Sequence, residues 1–163
     1  MKKLFAVAVV LSLAGTASAA SVAFDFGTNF YHPTASGYLT QNGQNFLVSW
    51  NLDNDLGLGV YTELSNWSNV TGTGTLAVSA ISIAKGVVKN VAVGLNLGSG
   101  TTATNTRPLA DIFGVVNILS GSGEKVSGAL RATASARFCQ AQLQAAGQVA
   151  DGYSVGLSVQ VGF

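Results

Sequence analysis

The sequence predicts an all-β fold, eight antiparallel strands closed into a transmembrane β-barrel behind a cleaved signal peptide, and three observations carry that reading. Apolar and polar residues alternate with a period of two in eight successive segments, as they do in strands with two unlike faces. Charge is scarce, since 48% of the 163 residues are hydrophobic and 9% charged, with a formal net charge of +1. Past residue 20 no run of 18 apolar residues occurs, which excludes a helical membrane span there. The balanced charge gives no reason to expect nucleic acid as a partner. Twenty Gly would suit a disordered chain, but low charge and abundant Val, Leu and Phe favour a packed one. The length fits a single domain.

The first residues read as an export address. Lys2 and Lys3 form a basic start, Leu4 to Gly15 a short apolar core, and Ala17-Ser18-Ala19 a small-residue cleavage site. Residues 1–19 are therefore expected to be removed, leaving 20–163 as the barrel. The apolar core is too short for a retained anchor. Cys139 is the one cysteine, so an exported chain of this sequence must hold together without an internal disulfide.

The strands follow in order. Val22, Phe24 and Phe26 oppose Ala23, Asp25, Gly27 and Asn29. Phe46, Val48, Trp50 and Leu52 oppose Asn45, Ser49 and Asn51; after a turn at Asp53 to Asp55, Leu56, Leu58 and Val60 oppose Gly57, Gly59, Tyr61 and Glu63, which makes a tight hairpin. The fourth strand, near Thr75 to Lys85, places Leu76 and Val78 on one face and Ile81 and Ile83 on the other, which suggests a bulge near Ala80. Val91, Val93, Leu95 and Leu97 oppose Ala92, Gly94 and Asn96. Ile112, Gly114, Val116 and Ile118 oppose Asp111, Phe113, Val115 and Asn117, where Phe113 and Val115 blur the pattern. The seventh strand sets Val126, Leu130, Ala132, Ala134, Ala136 and Phe138 against Lys125, Ser127, Arg131, Thr133, Ser135 and Arg137. The eighth sets Tyr153, Val155, Leu157, Val159, Val161 and Phe163 against Ser154, Gly156, Ser158, Gln160 and Gly162.

Connections alternate between short turns and long loops. Asp53 to Asp55, Gly86 to Asn90 and Gly121 to Gly123 are short, whereas His32 to Gly43, Asn66 to Gly74, Gly98 to Pro108 and Cys139 to Gly152 are long. That asymmetry, with an even strand count, matches a barrel with periplasmic turns and extracellular loops. Hydrocarbon offers no hydrogen-bond partner, so only a closed sheet satisfies every strand there. The apolar faces then point to lipid and the small and polar faces inward. A soluble barrel would need the reverse.

On that assignment six charges fall inside: Asp25, Glu63 and Asp111 against Lys125, Arg131 and Arg137. An eight-stranded barrel has a lumen that side chains can fill, and buried charge there must be paired. A neutral ion-pair network sealing the lumen is expected, with Asp111 near Arg131 and Glu63 reaching Arg137 across the barrel; a narrow ion-selective pore is the alternative. Aromatics at Phe30, Tyr31, Phe138 and Tyr153 are placed at the outer membrane boundary, Trp50 and Phe163 at the inner one. Catalysis is not expected: His32, the lone histidine, sits before Pro33 at a loop entry, with no inward Ser beside it. No spacing suits a metal, and Gly98-Ser99-Gly100 lacks the following helix of a phosphate cradle. No cofactor is expected.

The final stretch, Tyr153, Val155, Leu157, Val159, Val161 and terminal Phe163, resembles the last strand that bacterial outer-membrane proteins present to the barrel-assembly machinery. Residues 20–163 as a whole resemble, in pattern, the small eight-stranded barrels that include the OmpA transmembrane domain, OmpX and the opacity-like proteins. The resemblance implies the outer membrane of a Gram-negative bacterium as location. It implies outer-membrane lipid and, during biogenesis, the assembly machinery as partners. A structural or surface-interaction role follows as the expected function, with an extracellular ligand the sequence does not name, a monomeric state, and a narrow porin-like channel as the alternative.

Overall fold

The structure, a computed structural model, describes residues 21–33, 40–52, 55–69, 72–142 and 150–163. The expected signal segment and its cleavage point lie outside the described residues. Eight strands follow one another: β1 (Ser21–Pro33), β2 (Thr40–Asn51), β3 (Leu56–Asn69), β4 (Gly72–Val88), β5 (Val91–Thr101), β6 (Thr106–Ser122), β7 (Ser127–Cys139) and β8 (Gly152–Gly162). Each pairs with its sequence neighbours, and β8 pairs antiparallel with β1, so the sheet is a closed barrel without an edge. Phe163 completes that seam: its N–H donates to the Val22 carbonyl at 2.9 Å and its own carbonyl accepts from Val22 at 3.2 Å.

Alternation decides which side chains meet water, protein or the outside. Phe26, Phe30, Leu64, Ile81, Leu97, Ile112, Phe138 and Val155 all lie on the outer surface and are exposed. Asp25, Asn29, Glu63, Ser82, Asn96, Asp111 and Arg137 point inward and are buried. The outer surface is therefore mostly apolar, and the buried charges lie within the lumen.

The fourth strand departs from expectation. Its pairing with β3 runs without interruption from Gly72 to Lys85, and no bulge occurs near Ala80. The irregularity lies instead at Gly86 to Val88, against β5. Leu76, Val78 and Ala80 keep strict alternation and point into the lumen, where they are buried, while Ile81 and Ile83 face out. They join Tyr61, Trp67, Leu109, Cys139, Ala141 and Ala150 in an apolar cluster that fills the end of the barrel remote from Ser21 and Phe163, here the far end. Phe113 points inward for a related reason. Its ring lies over Gly94, its cross-strand partner, so close that a Cβ there would meet it at 2.3 Å.

The expected contrast of loops and turns is largely lost, because the strands run longer than expected. β4 and β6 each have 17 residues. The connection between β3 and β4 shrinks to residues 70–71, and that between β5 and β6 to 102–105, where Thr102 and Asn105 close a turn by a 2.8 Å backbone bond. The far end keeps two longer connections, 34–39 and 140–151.

Candidate functional site

The lumen gathers the charged residues, and Arg137 is its centre. Inward parity on β7 aims its side chain across the barrel, where it is fully buried. Nε donates to Asp111 Oδ1 at 2.9 Å and Nη1 to Glu63 Oε1 at 3.0 Å. Nη2 donates to Glu63 Oε2, Asp111 Oδ2 and the Tyr31 hydroxyl, and the guanidinium lies 4.1 Å from the Tyr31 ring centre. Glu63 Oε2 also accepts from the Tyr31 and Tyr61 hydroxyls, each at 2.5 Å, and from Asn29 Nδ2 at 3.2 Å. A carboxylate taken out of water is tolerated only when its lone pairs are met in this way. The cluster ties together β1, β3, β6 and β7. Asn29, Tyr31 and Tyr61 were not singled out as its members from sequence, although Tyr31 shares the inward parity of Asp25 and Asn29.

Asp111 pairs directly with Arg137 across β6 and β7, not diagonally with Arg131 as expected. Two local features shift the register. The turn falls at residues 123–126, closed by Gly123 N–H donating to the Val126 carbonyl, and a bulge lies between Asn117 and Leu119. Arg131 then faces Asn117 and forms its ion pair with Asp25 on β1 through Nη1. Lys125 is not an interior residue. It sits in the turn beside Glu124, exposed, so among the described residues the charges lining the lumen are three carboxylates and two guanidiniums. The Tyr and Asn hydroxyl and amide donors on Glu63 compensate the extra negative charge.

Toward the end that carries Ser21 and Phe163, the near end, the lumen opens into a vestibule of about 790 Å³ lined among others by Ser49, Asn51, Ser82, Phe113, Asn117, Arg131 and Gln160. A pocket of about 60 Å³ lies deeper, bordered by Asp25, Asn29, Tyr61, Asn96 and Asp111. Beyond it stand the Arg137 cluster and the apolar cluster.

On the outer surface Tyr153, Val155, Leu157, Val159 and Phe163 are exposed along β8, with Val161 partly covered. Phe163 meets Phe24 edge to face at 6.1 Å. Phe30, Phe138 and Tyr153 face outward near the far end as expected for a girdle, but Tyr31 turns into the lumen. His32 is exposed and opposite Tyr153. Among the described residues no group of three His, Cys, Asp or Glu gathers as a metal site. No protein-family model matches the chain, and no curated protein matches it in sequence.

Proposed function

We propose that this chain is an outer-membrane β-barrel with a closed lumen, serving a structural or surface-interaction role rather than catalysis. One observation carries the reading: a closed sheet whose outward side chains are mostly apolar, while Asp25, Glu63, Asp111, Arg131 and Arg137 are turned inward and paired. Such an object is stable in hydrocarbon and would aggregate in water. The far ends of β2, β3 and β4 support an extracellular placement, because outside the apolar belt they present Asn42, Asn66 and Thr75 side by side, all exposed. Export by residues 1–19 and recognition of the β8 pattern by the assembly machinery belong to the same proposal. Both carboxylates nearest the lumen centre are engaged by Arg137, which leaves neither poised as a general base.

A narrow channel is the second reading, favoured by the wide vestibule. Planar-bilayer recording of the refolded protein, with insertion verified by heat-modifiable migration, separates the two. Silence is the expected result. A steady unitary conductance would reject the closed lumen in favour of the channel, and an altered lipid A mass on overexpression would reject the non-catalytic role.

A further inference from the structure

The far end carries two polar regions, and only one of them is satisfied within the protein. Where β5 meets β6, Thr101 bonds Thr106, Thr102 bonds Thr104, and the Asn105 amide reaches Thr104 and Gln142. On β2 to β4 the side chains of Asn42, Asn66 and Thr75 have no partner among the described residues. These three stand in one cross-strand row that starts at an aromatic ring: Phe30 pairs with Asn42, Asn42 with Asn66, and Asn66 with Thr75. All four residues point outward and are exposed. The row covers three inter-strand steps, about 14 Å.

The outward face changes character along each of these strands. Toward the far end Val48 and Phe46 give way to Gln44 and Asn42 on β2, Leu64 gives way to Asn66 on β3, and Ile83 and Ile81 give way to Ser79 and Thr75 on β4. The row thus begins where the apolar belt ends, beside Phe30 and Leu64. Acyl chains cannot satisfy its amides and hydroxyl, so the surface takes water or a hydrogen-bonding ligand. The groups suit a neutral, hydroxyl-rich one. A carboxamide both donates and accepts, and so does a hydroxyl, which matches the edge of a sugar ring, while Phe30 offers an apolar face to its C–H side. The outward positions of β2, β3 and β4 carry no charge except Lys85, toward the near end, so a phosphate or carboxylate has no cation here. Asn42, Asn66, Ser68, Thr73 and Thr75 border a recess of about 350 Å³ whose surface mixes carbon and polar atoms, within the range of small-molecule sites.

We propose that this row binds the sugar head of a neutral glycolipid seated in the outer leaflet beside β2 to β4. The inference rests on the outer-membrane reading and names a partner for its surface role. The lipid chains lie along Phe46, Leu64 and Ile81, and the sugars reach Asn42, Asn66 and Thr75.

The test places the refolded protein in phosphatidylcholine nanodiscs with rising fractions of digalactosyl diacylglycerol and follows the ¹⁵N carboxamide signals of Asn42 and Asn66. Saturable shifts of both are expected. Phosphatidylglycerol, with a charged head and no sugar, should leave them in place, and free galactobiose should match the glycolipid only at far higher concentration, because the membrane holds the glycolipid beside the row. Asn66→Leu, which prolongs the apolar column of Leu64, should weaken the response roughly three- to tenfold, the loss of one or two neutral hydrogen bonds. Asn105→Ala, in the internally bonded region, should not change it. In an inserted barrel, the absence of saturable shifts, an equal response to phosphatidylglycerol, free galactobiose as effective as the glycolipid, or an undiminished response in Asn66→Leu overturns the proposal alone. Shifts that follow the number of barrels per disc in plain phosphatidylcholine would give the face to a second copy and overturn it too. A barrel that does not insert overturns the outer-membrane reading and this proposal with it.

Discussion

Arg137 and Glu63 show what a buried ion pair demands of its surroundings. Neither side chain retains solvent contact, so removing one leaves the other charged, unpaired and dry. Arg137→Ala is expected to cost about 3 to 5 kcal/mol in urea unfolding from lipid vesicles. Asp111→Ala combined with Arg137→Ala should cost less than the two singles together, because both remove one network. Additive small losses would mean that the cluster does not hold the barrel. Lys125→Ala supplies the contrast: the side chain is exposed in a turn, and the same unfolding measurement should move by less than about 0.5 kcal/mol. Inward parity was legible for Asp25, Glu63, Asp111, Arg131 and Arg137, since a period of two is written locally. Their partners were not. Pairing depends on where a turn closes, and with the β6–β7 turn at 123–126 and a bulge after Asn117, Asp111 meets Arg137 while Arg131 is left for Asp25.

Strands divide into those whose two faces differ and those that change character along their length. β8 is of the first kind, and its alternation reads the same in sequence and structure. β4 is of the second kind: Leu76 and Val78 are apolar yet inward, because they join an apolar cluster that packs the far end of the lumen beside the Arg137 network. Hydrophobicity alone does not say whether a residue faces outward or into a packed lumen, and the sequence pattern therefore suggests a bulge near Ala80, where the pairing of β4 runs unbroken. Strand ends were hidden for a similar reason. Asn66, Ser68, Thr73 and Thr75 read as a polar loop, although they pair in register between β3 and β4. At β8 the closing contact is specific. Deleting Phe163 removes the reciprocal backbone bonds to Val22 and the ring contact with Phe24. Cells expressing the truncated chain should accumulate protease-sensitive protein in the periplasm; heat-modifiable barrel in the outer membrane at undiminished level would remove Phe163 from the assembly signal.

At the scale of the whole molecule, closure and the inside-out distribution of polarity reinforce each other. Among the described residues the closed sheet has no edge strand, and mostly apolar side chains cover its outer surface, which is the condition for residence in hydrocarbon. The far half of the lumen is filled by the Arg137 and apolar clusters, while the near half stays open to the vestibule. Membrane residence is the central claim, and nitroxide scanning along β8 of the protein reconstituted in lipid vesicles tests it most directly. Labels at Tyr153, Val155, Leu157 and Val159 should show high accessibility to oxygen and low accessibility to a water-soluble nickel chelate, with labels at Ser154, Gly156 and Ser158 low in oxygen accessibility. Outward labels that meet the chelate as freely as a surface site in solution would contradict a barrel embedded in lipid.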